Sequence, residues 1–155
     1  MRFPKMNFHT HTTYCDGKES VENMIQAAIA KDFIRLGFSG HVFNDFRPED
    51  QDIWCMSPER TQKYIEEVRM MAEKYKDKID ILCGIEQDFC SNVSTEGFDY
   101  VIGSVHYTEK DGQYYCVDES PEVLEKAIRE GFGGDVYALT KRFFEMEAEV
   151  VQKTN

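Results

Sequence analysis

The sequence predicts an α/β fold built on a largely parallel sheet. Short apolar runs alternate with amphipathic stretches at helical spacing, the pattern of repeated strand–helix units. Two of the helical stretches open alike, with Ser57-Pro58-Glu59 and Ser120-Pro121-Glu122; in each the serine caps and the proline takes the first helical position. Every predicted strand finishes in a histidine or a carboxylate, and such sheets place their sites at strand C-terminal ends.

In chain order, strand one runs from about Met6 to Thr12. Ser20 then caps a helix in which Val21, Met24, Ile25, Ala28 and Ile29 fall on one face. Arg35–Val42 reads as strand two, with His41 near its end. A polar loop, Phe43 to Met56, carries Asn44, Asp45, Arg47 and Trp54. The helix that follows Ser57 buries Tyr64, Val68, Met71 and Tyr75. Strand three is Asp80–Asp88 with Glu86 toward its end, and strand four is Tyr100–His106. Asp111-Gly112 suits the turn of a small hairpin. A third helix starts after Ser120 and closes near Gly131. Asp135 caps a fourth, whose stripe is Leu139, Phe143, Met146 and Val150 and which runs to the terminus.

A chain of 155 residues fits one domain, and a 41% hydrophobic fraction suffices for a sizeable core. The net charge of -11 argues against a nucleic-acid backbone binder or an anionic-membrane binder. No apolar run is long enough to span a bilayer. The start MRFPKMNFHTHT lacks the apolar region of a signal peptide. Five cysteines without a CxxC pair suggest reduced thiols in a cytoplasmic protein. Cys15 lies beside the proposed chemistry and is read as a small packing residue. No repeat, linker or low-complexity tract interrupts the chain.

The chemistry gathers around Phe8-His9-Thr10-His11-Thr12-Thr13-Tyr14-Cys15-Asp16-Gly17. On a strand, His9 and His11 share a face. The Asp16-Gly17 turn brings a carboxylate back toward the strand end. One such pair is ordinarily surface chance, and a lone His41 or His106 is ordinarily a satisfied buried histidine. Here all the histidines sit at strand ends, beside Glu86. An unpaired carboxylate in so apolar a strand as Ile85-Glu86 is costly, and a cation removes that cost. The donors are imidazole and carboxylate without clustered thiolates, which suits Zn, Mn or Fe at a site that keeps water. His9, His11, Asp16, His41, Glu86 and His106 exceed one tetrahedral ion's needs, so at least two ions are expected. Divalent ions about 4 Å apart bind phosphate esters and supply a hydroxide nucleophile. Neither GxxxxGK[ST] nor GxSxG occurs. Ser39 reads as a small strand-end residue, and no general acid is assigned. Arg47 is a candidate contact for substrate phosphate, against the more ordinary reading of a solvated loop charge.

Taken together, His9-Thr10-His11, Cys15-Asp16-Gly17, Gly37-Phe38-Ser39-Gly40-His41, Gly84-Ile85-Glu86 and Gly103-Ser104-Val105-His106 resemble the PHP (polymerase and histidinol phosphatase) superfamily. The "GFSGH" and "GSVH" forms most resemble its histidinol-phosphatase branch. The resemblance implies the N-terminal portion of a distorted seven-stranded (β/α) TIM-like barrel, with about four parallel strands and four helices present. It implies a trinuclear metal centre with His9, His11, Asp16, His41, Glu86 and His106 as ligands. It also implies hydrolysis of L-histidinol phosphate, a small-molecule phosphate monoester, in histidine biosynthesis. Family members carry a further histidine and an Asp-x-His pair beyond this length, so residues 1–155 read as a PHP domain cut before its C-terminal strands. Three rivals stand beside this reading. They are a PHP phosphoesterase acting on nucleotides, a non-catalytic metal-binding module, and an amidohydrolase-like barrel, whose ligand order fits less well.

Overall fold

The computed structural model describes residues 3–153. The expectations that touch Met1, Arg2, Thr154 and Asn155 lie outside the described residues. A four-stranded sheet has the order β1-β2-β3-β4, with β1 Lys5–Asn7, β2 Phe33–His41, β3 Asp80–Asp88 and β4 Val101–Ser104. Helices α1 (Val21–Ala30) and α2 (Pro58–Tyr75) connect the first three strands. A two-stranded hairpin, β5 (Tyr107–Lys110) and β6 (Gln113–Cys116), precedes α3 (Pro121–Gly131) and α4 (Val136–Lys153). The chain forms two compact units, one running through Gln87 plus Asn92–Ile102, the other Asp88–Ser91 plus the residues from Gly103 on.

In the first unit the sheet and helices form because local signals agree. The Ser20 hydroxyl accepts from the Asn23 N–H and the Ser57 hydroxyl from the Arg60 N–H, satisfying N-terminal donors of α1 and α2. Val21, Ile25 and Ala28 of α1 and Tyr64, Val68, Met71 and Tyr75 of α2 turn inward onto Leu36, Phe38, Ile81 and Ile85. Strands β1/β2 and β2/β3 are parallel, and their register pairs His41 with Glu86.

Strand one is shorter than expected and ends at Asn7, so His9 and His11 lie beyond it. The reason is competition for donors. The Asn7 side chain accepts from the His9 N–H at 3.0 Å, and the Ser39 hydroxyl takes the Thr10 N–H at 3.2 Å. One ladder-like bond survives, from the Ser39 N–H to the Thr10 carbonyl at 2.9 Å. The inward and outward alternation survives too, with Thr10 and Thr12 buried between the histidines. Strand four is likewise shortened, so His106 falls two residues past its end.

In the second unit the hairpin turn is Asp111-Gly112, with φ of 54° and 75°. Both residues are left-handed, as a two-residue type I′ turn requires. Its strands pair from Tyr107 with Cys116 to Lys110 with Gln113. Asp135 caps α4, its Oδ1 accepting from the N–H groups of Tyr137 and Ala138 at 2.9 and 3.1 Å. Ala127, Phe132 and Leu139 form this unit's small core with Tyr115, Val117 and Leu124.

Candidate metal centre

Three local devices set the donor atoms of the first unit. The tight turn after His11 is closed by the Thr12 carbonyl, which accepts from the N–H groups of Cys15 and Gly17, both at 3.0 Å. A Cβ at Gly17 would lie 2.4 Å from the Thr12 nitrogen, so only glycine lets the turn fold back and carry Asp16 toward His11. The parallel register of β2 and β3 sets His41 beside Glu86. The Asn7 side chain fixes the backbone under His9.

The donors converge on Glu86. Its Oε2 lies 2.9 Å from His9 Nε2, 3.0 Å from His11 Nε2 and 3.6 Å from His41 Nδ1. Asp16 closes the other side, with Oδ1 2.8 Å from His11 Nδ1 and Oδ2 3.8 Å from His41 Nε2. The His9 and His11 rings stack with centroids 5.1 Å apart, and His11 meets His41 edge-on at 4.5 Å. Among the described residues, the first unit by itself supplies two donor triads, His9–His11–Glu86 and His11–Asp16–His41, each with its atoms within 4.8 Å of one another. They share His11, whose two nitrogens face opposite ways.

Glu86 is only 4% exposed, a carboxylate held among three imidazoles. Burial lowers the His11 pKa, but hydrogen bonding with Cys15, Glu86 and Asp16 outweighs it and pushes His11 up to about 10. Burial would raise Asp16; His11 and His41 outweigh that and hold its carboxyl below the usual value. Without a cation, then, a proton on His11 neutralises the buried carboxylate. A divalent ion placed in either triad would replace that proton, and mixed imidazole and carboxylate donors suit such an ion.

The other expected residues are placed as follows. His106 belongs to the second unit. Its backbone N–H donates to Asp88 Oδ2 at 2.8 Å, and its Nδ1 lies 3.4 Å from that same oxygen and 3.2 Å from Ser104 Oγ. Such a carboxylate partner fixes ring orientation and tautomer, as it does for metal-binding histidines. The sequence marks Asp88 only as a strand end; its two-residue spacing from Glu86 is the one signal that could have singled it out. Arg47 pairs within its own loop, with Glu49 and Asp50 both at 3.2 Å. Cys15 lies beside the chemistry, its Sγ 3.6 Å from His11 Nδ1, and packs against the unit's apolar core. Trp54, which the sequence places only in a loop, packs edge-on against His41 with centroids 5.0 Å apart.

The PHP domain profile matches residues 7–153. A Schizosaccharomyces pombe protein described as a probable histidinol-phosphatase is 27% identical over 94% of this chain and 51% of its own length. The crystal structure of the hisK protein of Listeria monocytogenes superposes with a TM-score of 0.65 at 22% identity, covering 78% of this chain and 52% of that one. The structure of Lactococcus lactis histidinol phosphate phosphatase, complexed with Zn, L-histidinol and phosphate, gives 0.55 at 21%, covering 79% and 49%. The chain spans about half the length of the curated relatives it matches. The profile match, together with the parallel strands and the order of the histidine- and carboxylate-bearing motifs, makes this chain a member of the PHP domain family.

Proposed function

We propose that this chain carries the metal-binding part of a phosphoric monoester hydrolase acting on L-histidinol phosphate in histidine biosynthesis. The carrying observation is the buried Glu86 carboxylate ringed by His9, His11 and His41, with Asp16 on the far side. His106, oriented by Asp88, is the sixth ligand of a trinuclear centre of Zn, Mn or Fe. The histidinol-phosphatase relatives and the Lactococcus lactis enzyme's ligands support this substrate.

The bound ions would supply Lewis acidity and a nucleophile at neutral pH. Holding and placing them falls to the chain's own side chains. Glu86 and Asp16 set the negative charge that holds the ions, and the imidazoles hold their positions through those carboxylates. Arg47 is a candidate for the substrate phosphate; to serve, its guanidinium exchanges Glu49 and Asp50 for phosphate oxygens. The substrate is a small-molecule phosphate monoester, and the setting is the cytoplasm. The five free cysteines support a reducing compartment. Among the described residues no helix is long and apolar enough to cross a membrane.

The test is phosphate release from L-histidinol phosphate, beside nucleoside monophosphates, in the presence of Zn or Mn. Turnover should favour histidinol phosphate and vanish on chelation. Turnover that survives thorough chelation, or that favours nucleotides, overturns the reading. The alternative is a non-catalytic metal-binding module. In that case metal raises the melting temperature while turnover stays at background.

A further inference from the structure

Asp16 stands on a surface turn, its side chain 48% exposed, yet its carboxylate must keep its place beside His41 for the His11–Asp16–His41 triad to hold an ion. Closure through the Thr12 carbonyl shapes that turn without tying it to another element. One face of α2 supplies the tie. Arg60 Nη2 donates to the Thr13 carbonyl at 2.5 Å, and the Tyr14 hydroxyl donates to Glu67 Oε2 at 2.6 Å. Between these two bonds the Tyr14 ring packs edge-on against Tyr64, with centroids 5.8 Å apart. Residues 60, 64 and 67 are four and three apart, so they share one side of the helix. Tyr64 is fully buried, and its hydroxyl donates to the Gly84 carbonyl at 2.8 Å. The Gly40 N–H donates to that same hydroxyl at 3.5 Å. The face that grips the turn therefore also spans the strands that end in His41 and Glu86. Arg60 reaches one segment more: its Nε lies 3.7 Å from Asp52 Oδ1, in the loop whose Trp54 packs on His41. All of these residues belong to the first unit.

We propose that Arg60 and Glu67 are positioning residues for the ion of the His11–Asp16–His41 triad. Neither supplies a donor atom of that triad. Acting through Thr13 and Tyr14, they hold Asp16 at the distance from His41 that one cation can bridge. The inference rests on the metal-centre reading above. The His9–His11–Glu86 triad takes nothing from the turn beyond His11; Asn7 fixes the backbone of His9, and β3 carries Glu86. That asymmetry gives the two residues a signature: loosening the turn weakens one ion and spares the other.

Titration of the whole chain with cobalt(II), followed by the visible absorption of the bound ion, reads the triads without turnover. Asp16→Ala identifies the band that belongs to this ion. Arg60→Met and Glu67→Ala should each weaken the same ion about tenfold to a hundredfold and leave the other unchanged. Arg60→Lys and Glu67→Gln, which keep a donor and an acceptor, should restore most of the affinity. Both side chains are half-exposed, so in chelator the melting temperature should fall by no more than about 4 °C. Variants that bind both ions as the wild type does overturn the proposal and leave the metal reading standing. So does a weakening of both ions that follows the loss of melting temperature and that the conservative variants do not rescue. A wild-type chain without any cobalt band fails the metal reading, and the proposal with it. The expected pattern in a chain that releases no phosphate from L-histidinol phosphate upholds the proposal and fails the catalytic reading alone.

Discussion

The Tyr100 hydroxyl donates to the carbonyl oxygen of Phe8 across 2.7 Å, although 92 residues separate the two in the chain. It also lies 2.9 Å from the Phe38 carbonyl, so one phenolic proton serves the segment that leads into His9 and the strand that ends in His41. The ring lies over Gly84 and Gly37, where a Cβ would fall 2.2 and 2.3 Å from Tyr100 atoms.

Removing that proton should loosen the platform beneath the histidines. Tyr100→Phe should lower stability by about 1–2 kcal/mol, the cost of leaving a carbonyl without its donor. Gly84→Ala should cost more, about 1–3 kcal/mol, because Tyr100 must move off its glycine shelf. Urea denaturation measures both. A fully stable Gly84→Ala protein would show that Tyr100 does not sit where it is placed.

Glu86 should govern cation binding. Glu86→Gln leaves the shape but removes the charge shared by three imidazoles, and should weaken Zn binding at least about tenfold. In the wild type, metal must displace the proton that His11 holds up to about 10. Binding should therefore release about one proton at neutral pH and weaken as pH falls. Calorimetry in two buffers of different ionisation enthalpy measures the release. No proton release, together with unchanged affinity in Glu86→Gln, would place the ions elsewhere.

Acid should weaken the first unit partly through Asp99. Its Oδ2 accepts from the Cys83 N–H and from Arg69, each at 2.7 Å. Burial raises the Asp99 pKa, but Arg69 and the Cys83 N–H together outweigh that and hold it below its usual 3.8. A depressed carboxylate contributes stability above its unfolded pKa and loses it as pH falls through the folded value. Asp99→Asn should thus cost about 1 kcal/mol at neutral pH, a figure reduced for the half-exposed Arg69 partner, and almost nothing in strong acid. Melting curves of both proteins that stay equally spaced at every pH would contradict this.

Trp54 should report on His41. It is the chain's one tryptophan, and its ring stands nearly perpendicular to the imidazole, at 84°. Cobalt(II) bound at His41 should quench its emission, chelator should restore it, and His41→Ala should abolish the response. Emission indifferent to cobalt would separate His41 from the ions.

Much of the fold is legible in the sequence because its signals are short. Ser20, Ser57, Ser120 and Asp135 cap helices through bonds that reach only two or three residues ahead. The Tyr64, Val68, Met71 and Tyr75 stripe follows from helical spacing, and the Asp111-Gly112 turn from two residues that accept positive φ. Strand one looks longer in the sequence than it is because alternation continues through His11, while the ladder does not. Asn7 and Ser39 side chains take the donors that a strand would have used. The pairing of Asp88 with His106 escapes a sequence reading because its partners lie 18 residues apart and neither residue alone announces the other.

By itself, the sequence determined which side chains offer donor atoms and that they fall where strands finish, since side-chain chemistry and periodicity are properties of a few neighbouring residues. Tertiary structure alone decided which atoms meet: Glu86 Oε2 at the hub, His11 facing two carboxylates, Tyr100 bracing Phe8. Those meetings depend on strand register and on ring packing between residues far apart in the chain, and no local pattern carries that information.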